Sequence, residues 1–145
     1  MNWTVDASVF VAAAREAEPH HADSLAFLHE LHVSERPVIC PTLVLPESVA
    51  AIARRTGDAA LADEVADLIL SLAGLRLLVL DLPAAERAAH LAKAHRLRGA
   101  DAVYAAVAHA AEATLVTWDL EMLARAVGAV PTLTPSQWLA QHARP

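Results

Sequence analysis

The sequence predicts an α/β protein, a three-layer sandwich in which a five-stranded parallel β-sheet is flanked by helices. Two observations carry that prediction. Five short runs are apolar throughout rather than alternating, as strands buried on both faces are, and helix-like segments separate each run from the next. Composition agrees: 145 residues, 56% hydrophobic and only 19% charged, suffice for one sizeable core and lie far from the signature of disorder. A single domain over residues 1–145 is expected.

In chain order, residues 2–5 are β-prone and end on Asp6, after which residues 7–17 read as a helix stopped by Pro19. Residues 21–33 predict a second helix with Leu25, Leu28 and Leu31 on its apolar face, and residues 37–40 a second strand. Pro41-Thr42 opens a helix to about Arg55 that closes at Gly57, with Pro46 near its first turn, where no N–H is needed. Leu61, Val65, Leu68, Ile69 and Leu72 follow the helical period, and Gly74 ends that segment. Residues 76–80 predict a third strand; Pro83 starts an Ala-rich helix to about His95, broken at Gly99, and residues 100–113 resume as a separate helix. A strand over 114–117, a helix over 120–127 capped by Gly128, a strand over 129–133 and a last helix from Thr134-Pro135 complete the pattern.

Four acids stand out. Asp6, Glu47 and Asp119 each lie just past a strand-like run, and Asp101 opens the Ala-rich helix after Arg98. Individually each has a local explanation: Asp6 and Asp119 as helix N-caps, Asp101 on first-turn amides, Glu47 complementing a helix dipole. In open parallel sheets, however, ligand sites lie beyond the carboxyl ends of strands, where connections diverge. Carboxylates gathered on that rim repel unless a cation answers them, and an oxygen-only set suits Mg²⁺, with Mn²⁺ as a substitute. Such a site serves phosphodiester hydrolysis by metal-activated water and needs no His or Ser nucleophile.

The ordered segments Val5-Asp6-Ala7-Ser8, Pro41-Thr42 through Glu47, Arg98-Gly99-Ala100-Asp101-Ala102 and Thr117-Trp118-Asp119 resemble PIN-domain nucleases. Among these, the chain is similar to the small VapC-type toxins of bacterial toxin–antitoxin pairs, from Asn2 to about Leu139. The resemblance implies a PIN-like fold, Mg²⁺-dependent endoribonuclease activity, homodimerisation and neutralisation by a VapB-type antitoxin. It implies that Asp6, Glu47, Asp101 and Asp119 are the metal-binding, catalytic acids and that Ser8 and Thr117 orient carboxylates or water behind them. Trp118 stands where the family more often has a small or polar residue; packing is its expected role, with contact to RNA bases as the alternative. Arg98 is expected to pair with the acids or to hold an RNA phosphate, and single-stranded or looped RNA is the expected target because its bases are accessible.

Other features narrow the class. The start of the chain has no basic n-region, and the longest apolar stretch, 68–80, is interrupted by Arg76, so a soluble cytoplasmic protein without membrane partner is expected. The formal charge of −6 argues against a nucleic-acid-coating protein, though Arg54, Arg55, Arg96 and Arg98 could cluster. None of the eight histidines sits in an HExxH pattern, and the single cysteine, Cys40, reads as a buried thiol at a strand end. The alternatives are a non-catalytic scaffold or a phospho-receiver-like Mg²⁺-binding domain, suggested by Asp81 after the third strand. A receiver needs an acidic pair after its first strand and a lysine after its last; here Asp6 is followed by Ala7, and Lys93 lies mid-helix. Apolar faces on 21–33 and 59–72 suggest a dimer surface, with a core role as the competing explanation.

Overall fold

The structure, a computed structural model, describes residues 1–142, so the last three residues of the expected domain lie outside it. The described residues form β1 (Asn2–Val5), α1 (Ala7–Ala14), α2 (His21–Val33), β2 (Val38–Pro41), α3 (Val44–Thr56), α4 (Ala59–Leu70) and β3 (Leu75–Leu78). There follow α5 (Leu82–His95), α6 (Gly99–Ala110), β4 (Ala113–Val116), α7 (Leu120–Arg125), a 3₁₀ turn (Ala126–Gly128), β5 (Thr132–Leu133) and α8 (Pro135–His142). The five strands make one parallel sheet in the order β3-β2-β1-β4-β5. The connections run from β1 out to β3 on one side, then return across to β4 and β5 on the other. The reversal falls between β1 and β4, which sets the ligand crevice beyond their carboxyl ends. A receiver's order, 2-1-3-4-5, is different, and that alternative is set aside.

The core is continuous. Val5, Phe10, Phe27, Val38, Val65, Tyr104, Leu115 and Trp138 are all buried in one cluster that spans the sheet and its covering helices. Phe27, Leu28 and Leu31 of α2 and Ala62, Val65 and Ile69 of α4 belong to it, so the apolar faces considered for a dimer serve the chain's own interior. Leu25 is a correction: it is 46% exposed, because the buried stripe of α2 runs Ser24, Phe27, Leu28, Leu31.

Element ends shift for identifiable reasons. β3 stops at Leu78, not at residue 80, because its pairing partner ends there, with Pro41 opposite Leu78; Val79 and Leu80 continue exposed. The third helix begins at Val44 rather than at Pro41, since the Thr42 amide is still bonded to Leu78 as part of the sheet. α1 ends at Ala14 instead of residue 17, with Arg15 extended and its guanidinium on Glu18. The predicted strand over 129–133 shortens to Thr132–Leu133, as the amides of Ala129 and Val130 both turn back to the Ala126 carbonyl. The break before α6 lies at Arg96, whose φ of 56° is left-handed, and at extended Arg98; Gly99 is the first helical residue, and α6 ends at Ala110, short of residue 113.

Candidate active site

Asp6 follows the last residue of β1 and is the N-cap of α1, its Oδ2 accepting from the Ser8 amide. Across the sheet reversal, Val5 pairs with Val116, which brings Thr117 beside Asp6; the Thr117 hydroxyl donates to Asp6 Oδ2 at 2.9 Å. Ser8 Oγ lies 3.4 Å from the Thr117 hydroxyl oxygen and accepts from the Trp118 amide at 3.1 Å. The Asp119 amide in turn donates to Thr117 Oγ1, and Asp119 Oδ1 caps α7 through the Met122 amide. Two of the four acids are therefore capping residues and cleft residues at once, because a strand-to-helix turn performs both tasks.

Asp101 lies in the first turn of α6 and Glu47 in the first turn of α3. All four acids line one cleft of about 470 Å³, together with Ser8, Arg98 and Trp118. The Asp101 carboxylate meets no first-turn amide; it accepts from Arg98 Nε at 2.9 Å. The same guanidinium reaches Asp119 Oδ2 at 2.6 Å through Nη2 and comes within 3.6 Å of Glu121. Of the other arginines considered, Arg55 lines the cleft and pairs with Glu18, whereas Arg96 and Arg54 lie outside it.

Electrostatics divide the cluster. Burial raises the carboxyl of Asp6 against the bonds from Ser8 and Thr117, with the charge of Asp101 adding to the rise. Burial raises Glu47 as well, and Asp6 and Asp101 push in the same direction. Asp101 is raised by burial despite Arg98. Asp119 alone is lowered: burial opposes this, but the Met122 amide and Arg98 outweigh it. Glu47 Oε1 and the Tyr104 hydroxyl are both buried and, among the described residues, neither makes a hydrogen bond of full geometry, but the two act on each other: the phenol lowers the Glu47 carboxyl against burial, while burial, with Asp6 and Glu47 adding to it, holds the phenol far above its usual range.

Among the described residues, no three His, Cys, Asp or Glu side chains stand close enough to hold an ion together. Arg98 sits between Asp101 and Asp119 and supplies the positive charge on that side. The donor set nevertheless fits a hard divalent cation: all four groups are oxygen ligands, and one buried oxygen, on Glu47, is left without a partner.

Three participants were missed in the sequence. Glu121 stands two residues past Asp119 on α7, and Tyr104 is one helical turn past Asp101, a spacing that could have flagged it. His20, which stacks on Trp118, comes from a distant segment with no local signal. Asp81 caps α5 through the Ala84 amide and lines a separate, mainly apolar cleft of about 300 Å³ with Leu78, Val79 and Leu80.

A doubly covered parallel sheet with carboxylates gathered at the reversal between β1 and β4 defines a protein of the acid-cluster α/β kind. The chain belongs to the PIN domain family, whose profile matches residues 4–128. No curated protein matches it by sequence. Among solved structures, it is similar to Mycobacterium tuberculosis VapC20, described as a sarcin-ricin loop cleaving toxin, at 23% identity and TM-score 0.69, covering 84% of this chain and 93% of that one. It is similar to VapBC2 from Rickettsia felis bound to a promoter DNA fragment, at 16% identity and TM-score 0.71, covering 92% and 98%. FitAcB from Neisseria gonorrhoeae aligns at 22% identity and TM-score 0.68, again covering 92% and 98%.

Proposed function

We propose that the protein is a metal-dependent endoribonuclease, the toxin of a VapBC-type toxin–antitoxin pair. The observation that carries this reading is the convergence of Asp6, Glu47, Asp101 and Asp119, from four separate segments, on one cleft at the sheet reversal, with Glu47 Oε1 buried and unpartnered. The four carboxylates are the residues to hold Mg²⁺ or Mn²⁺, which when bound would acidify a water and offset charge on the phosphate. Thr117 fixes the Asp6 carboxylate through its hydroxyl, and Ser8 reinforces the same turn. Arg98, 57% exposed and paired with Asp101 and Asp119, is the residue to meet a phosphate oxygen from the solvent side; its exposure supports that role.

The proposal includes a VapB-type antitoxin as partner, supported by the likeness to antitoxin-bound complexes, and a cytoplasmic location for both. It also includes a homodimer; exposed Val79, Leu80 and Leu82 beyond the end of β3 are the apolar surface that supports it. Among the described residues, no helix is long and apolar enough to cross a membrane.

The test is cleavage of single-stranded RNA by purified protein with Mg²⁺ or Mn²⁺, compared with Asp101→Asn. Metal-dependent internal cutting that the substitution removes is the expected result. No cutting with either ion, or cutting unchanged by Asp101→Asn, would reject catalysis at this cleft.

A further inference from the structure

One wall of the acidic cleft is aromatic. His20 and Trp118 both line it, their rings 3.9 Å apart and 8° from parallel. Trp118 is anchored at two points: its backbone amide donates to Ser8 Oγ, and its indole Nε1 donates at 2.7 Å to Ser24 Oγ, a fully buried hydroxyl. Ser24 also positions His20, since its amide donates to the His20 carbonyl. The stack is thus built as a unit, with half-buried Trp118 as a fixed backing and exposed His20 as its outer layer.

Trp118 packs against the core as expected, but packing does not account for His20. The interior already holds Trp3 and Trp138, each 1% exposed, whereas the imidazole of His20 lies at the surface of the cleft. Trp118 is also flanked in sequence by Thr117, which holds Asp6, and by Asp119. A strand whose phosphate sits at the acids therefore has the stack beside it in the same cleft.

Charge decides what such a wall can contribute. With a formal charge of −6, and five acids against the two arginines Arg55 and Arg98 in the cleft, the protein has little of the basic surface on which phosphate-driven binding depends. Stacking of bases on aromatic rings is insensitive to that deficit and tolerates any base. It requires an unpaired base, because the faces of a paired one are covered by its neighbours.

We infer that the His20–Trp118 stack is a platform for one unpaired nucleobase flanking the phosphate at the acids, with His20 as the contacting ring. The inference rests on the nuclease reading above. Its test separates the two. Binding of a short single-stranded oligoribonucleotide is measured with Mg²⁺ present in the Asp101→Asn background, which removes turnover and one negative charge from the cleft. Trp3 and Trp138 are shielded, so the change in indole emission on binding reports Trp118. The oligonucleotide is then scanned with single abasic positions, with and without His20→Ala.

The expected result is a loss of at least about fivefold in affinity on His20→Ala, rescue by His20→Phe, and an unchanged salt dependence. One abasic position should produce a similar loss that does not add to that of His20→Ala. A flat abasic scan, fully additive losses or no oligonucleotide binding would overturn the platform. Cleavage by the unmutated protein is scored separately: a flat scan with retained cleavage rejects the platform alone, and a coupled scan without cleavage rejects catalysis alone.

Discussion

Asp119 and Glu47 face the same cleft under opposite conditions. Asp119 has a helix amide and a guanidinium at hydrogen-bond distance, and its carboxyl is held below the ordinary range. Glu47 has a buried oxygen with no hydrogen bond of full geometry among the described residues, and burial, with Asp6 and Asp101 adding to it, holds its carboxyl above that range against the neutral Tyr104 hydroxyl. Asp101 pairs with Arg98 as Asp119 does, yet burial still raises it. Asp6 lies with Glu47: its partners Ser8 and Thr117 are neutral donors, which orient a carboxylate without cancelling its charge. One side of the cluster thus carries its own cation, and the other is organised around a charge it does not contain.

The difference can be probed from its largest consequence to its smallest. Asp6→Asn keeps the shape of the carboxylate but removes its charge, and should lower RNA cleavage by about 10²–10³-fold, the scale for losing one electrostatic element of a transition state. Thr117→Val, which frees Asp6 to rotate and takes the acceptor from the Asp119 amide, should cost about 10–100-fold in the same cleavage assay. A Thr117→Val enzyme as impaired as Asp6→Asn would mean that orientation, not charge, is what the neutral side supplies.

Stability should respond to the cation. At about 100 times its dissociation constant, Mg²⁺ should stabilise the protein by about 2.7 kcal/mol, or roughly 5–10 °C in Tm by thermal melting. Glu47→Gln should reduce that increment while raising the Tm measured in EDTA by a few degrees, because it removes an uncompensated buried charge.

The pH profile carries the same sign. Asp6, Glu47 and Asp101 bind protons more tightly folded than unfolded, so the metal-free protein gains stability as pH falls. The gain is complete below the unfolded carboxylate range near about 4 and is lost as pH rises through the raised folded values. Asp119 runs the other way: its contribution is present above the unfolded value and lost as pH falls through its lowered one. Melting in EDTA between about pH 4 and 8 should therefore show a higher Tm on the acid side. Asp119→Ala should instead lose about 0.5–2 kcal/mol with the cap of α7. Smallest of all, Arg98→Gln should change neutral-pH stability by no more than about 1 kcal/mol in a denaturant melt, since the guanidinium is largely solvated.

Much of this arrangement was legible from local pattern. Asp6 and Asp119 were visible because apolar runs ended on them, and Asp101 because a carboxylate opened an otherwise apolar helix. Strand limits were not, because a strand ends where its neighbour does: Val79 and Leu80 are as β-prone as Leu77, but β2 offers them no partner. Leu25 misled for a related reason, as Leu25 and Phe27 both fit a helical stripe and only tertiary packing selects Phe27. The pairing of Arg98 with Asp101 and Asp119 was expected, but its approach to Glu121 and the stack of His20 on Trp118 join segments remote in sequence and leave no periodic trace.

Cys40 gives this architecture a clock. Its sulfur lies near the carboxyl end of β2, fully buried, donating to the Val5 carbonyl one residue before Asp6, and burial pushes the thiol up to about 12. A thiol in that state reacts during an opening that uncovers this part of the sheet, where α6 packs on β2. As the only sulfhydryl in the chain, it reports that opening without background from another site. Its labelling rate should therefore time how often the layer carrying Asp101 lifts from the sheet, and occupancy of the acids by Mg²⁺ should lengthen the interval.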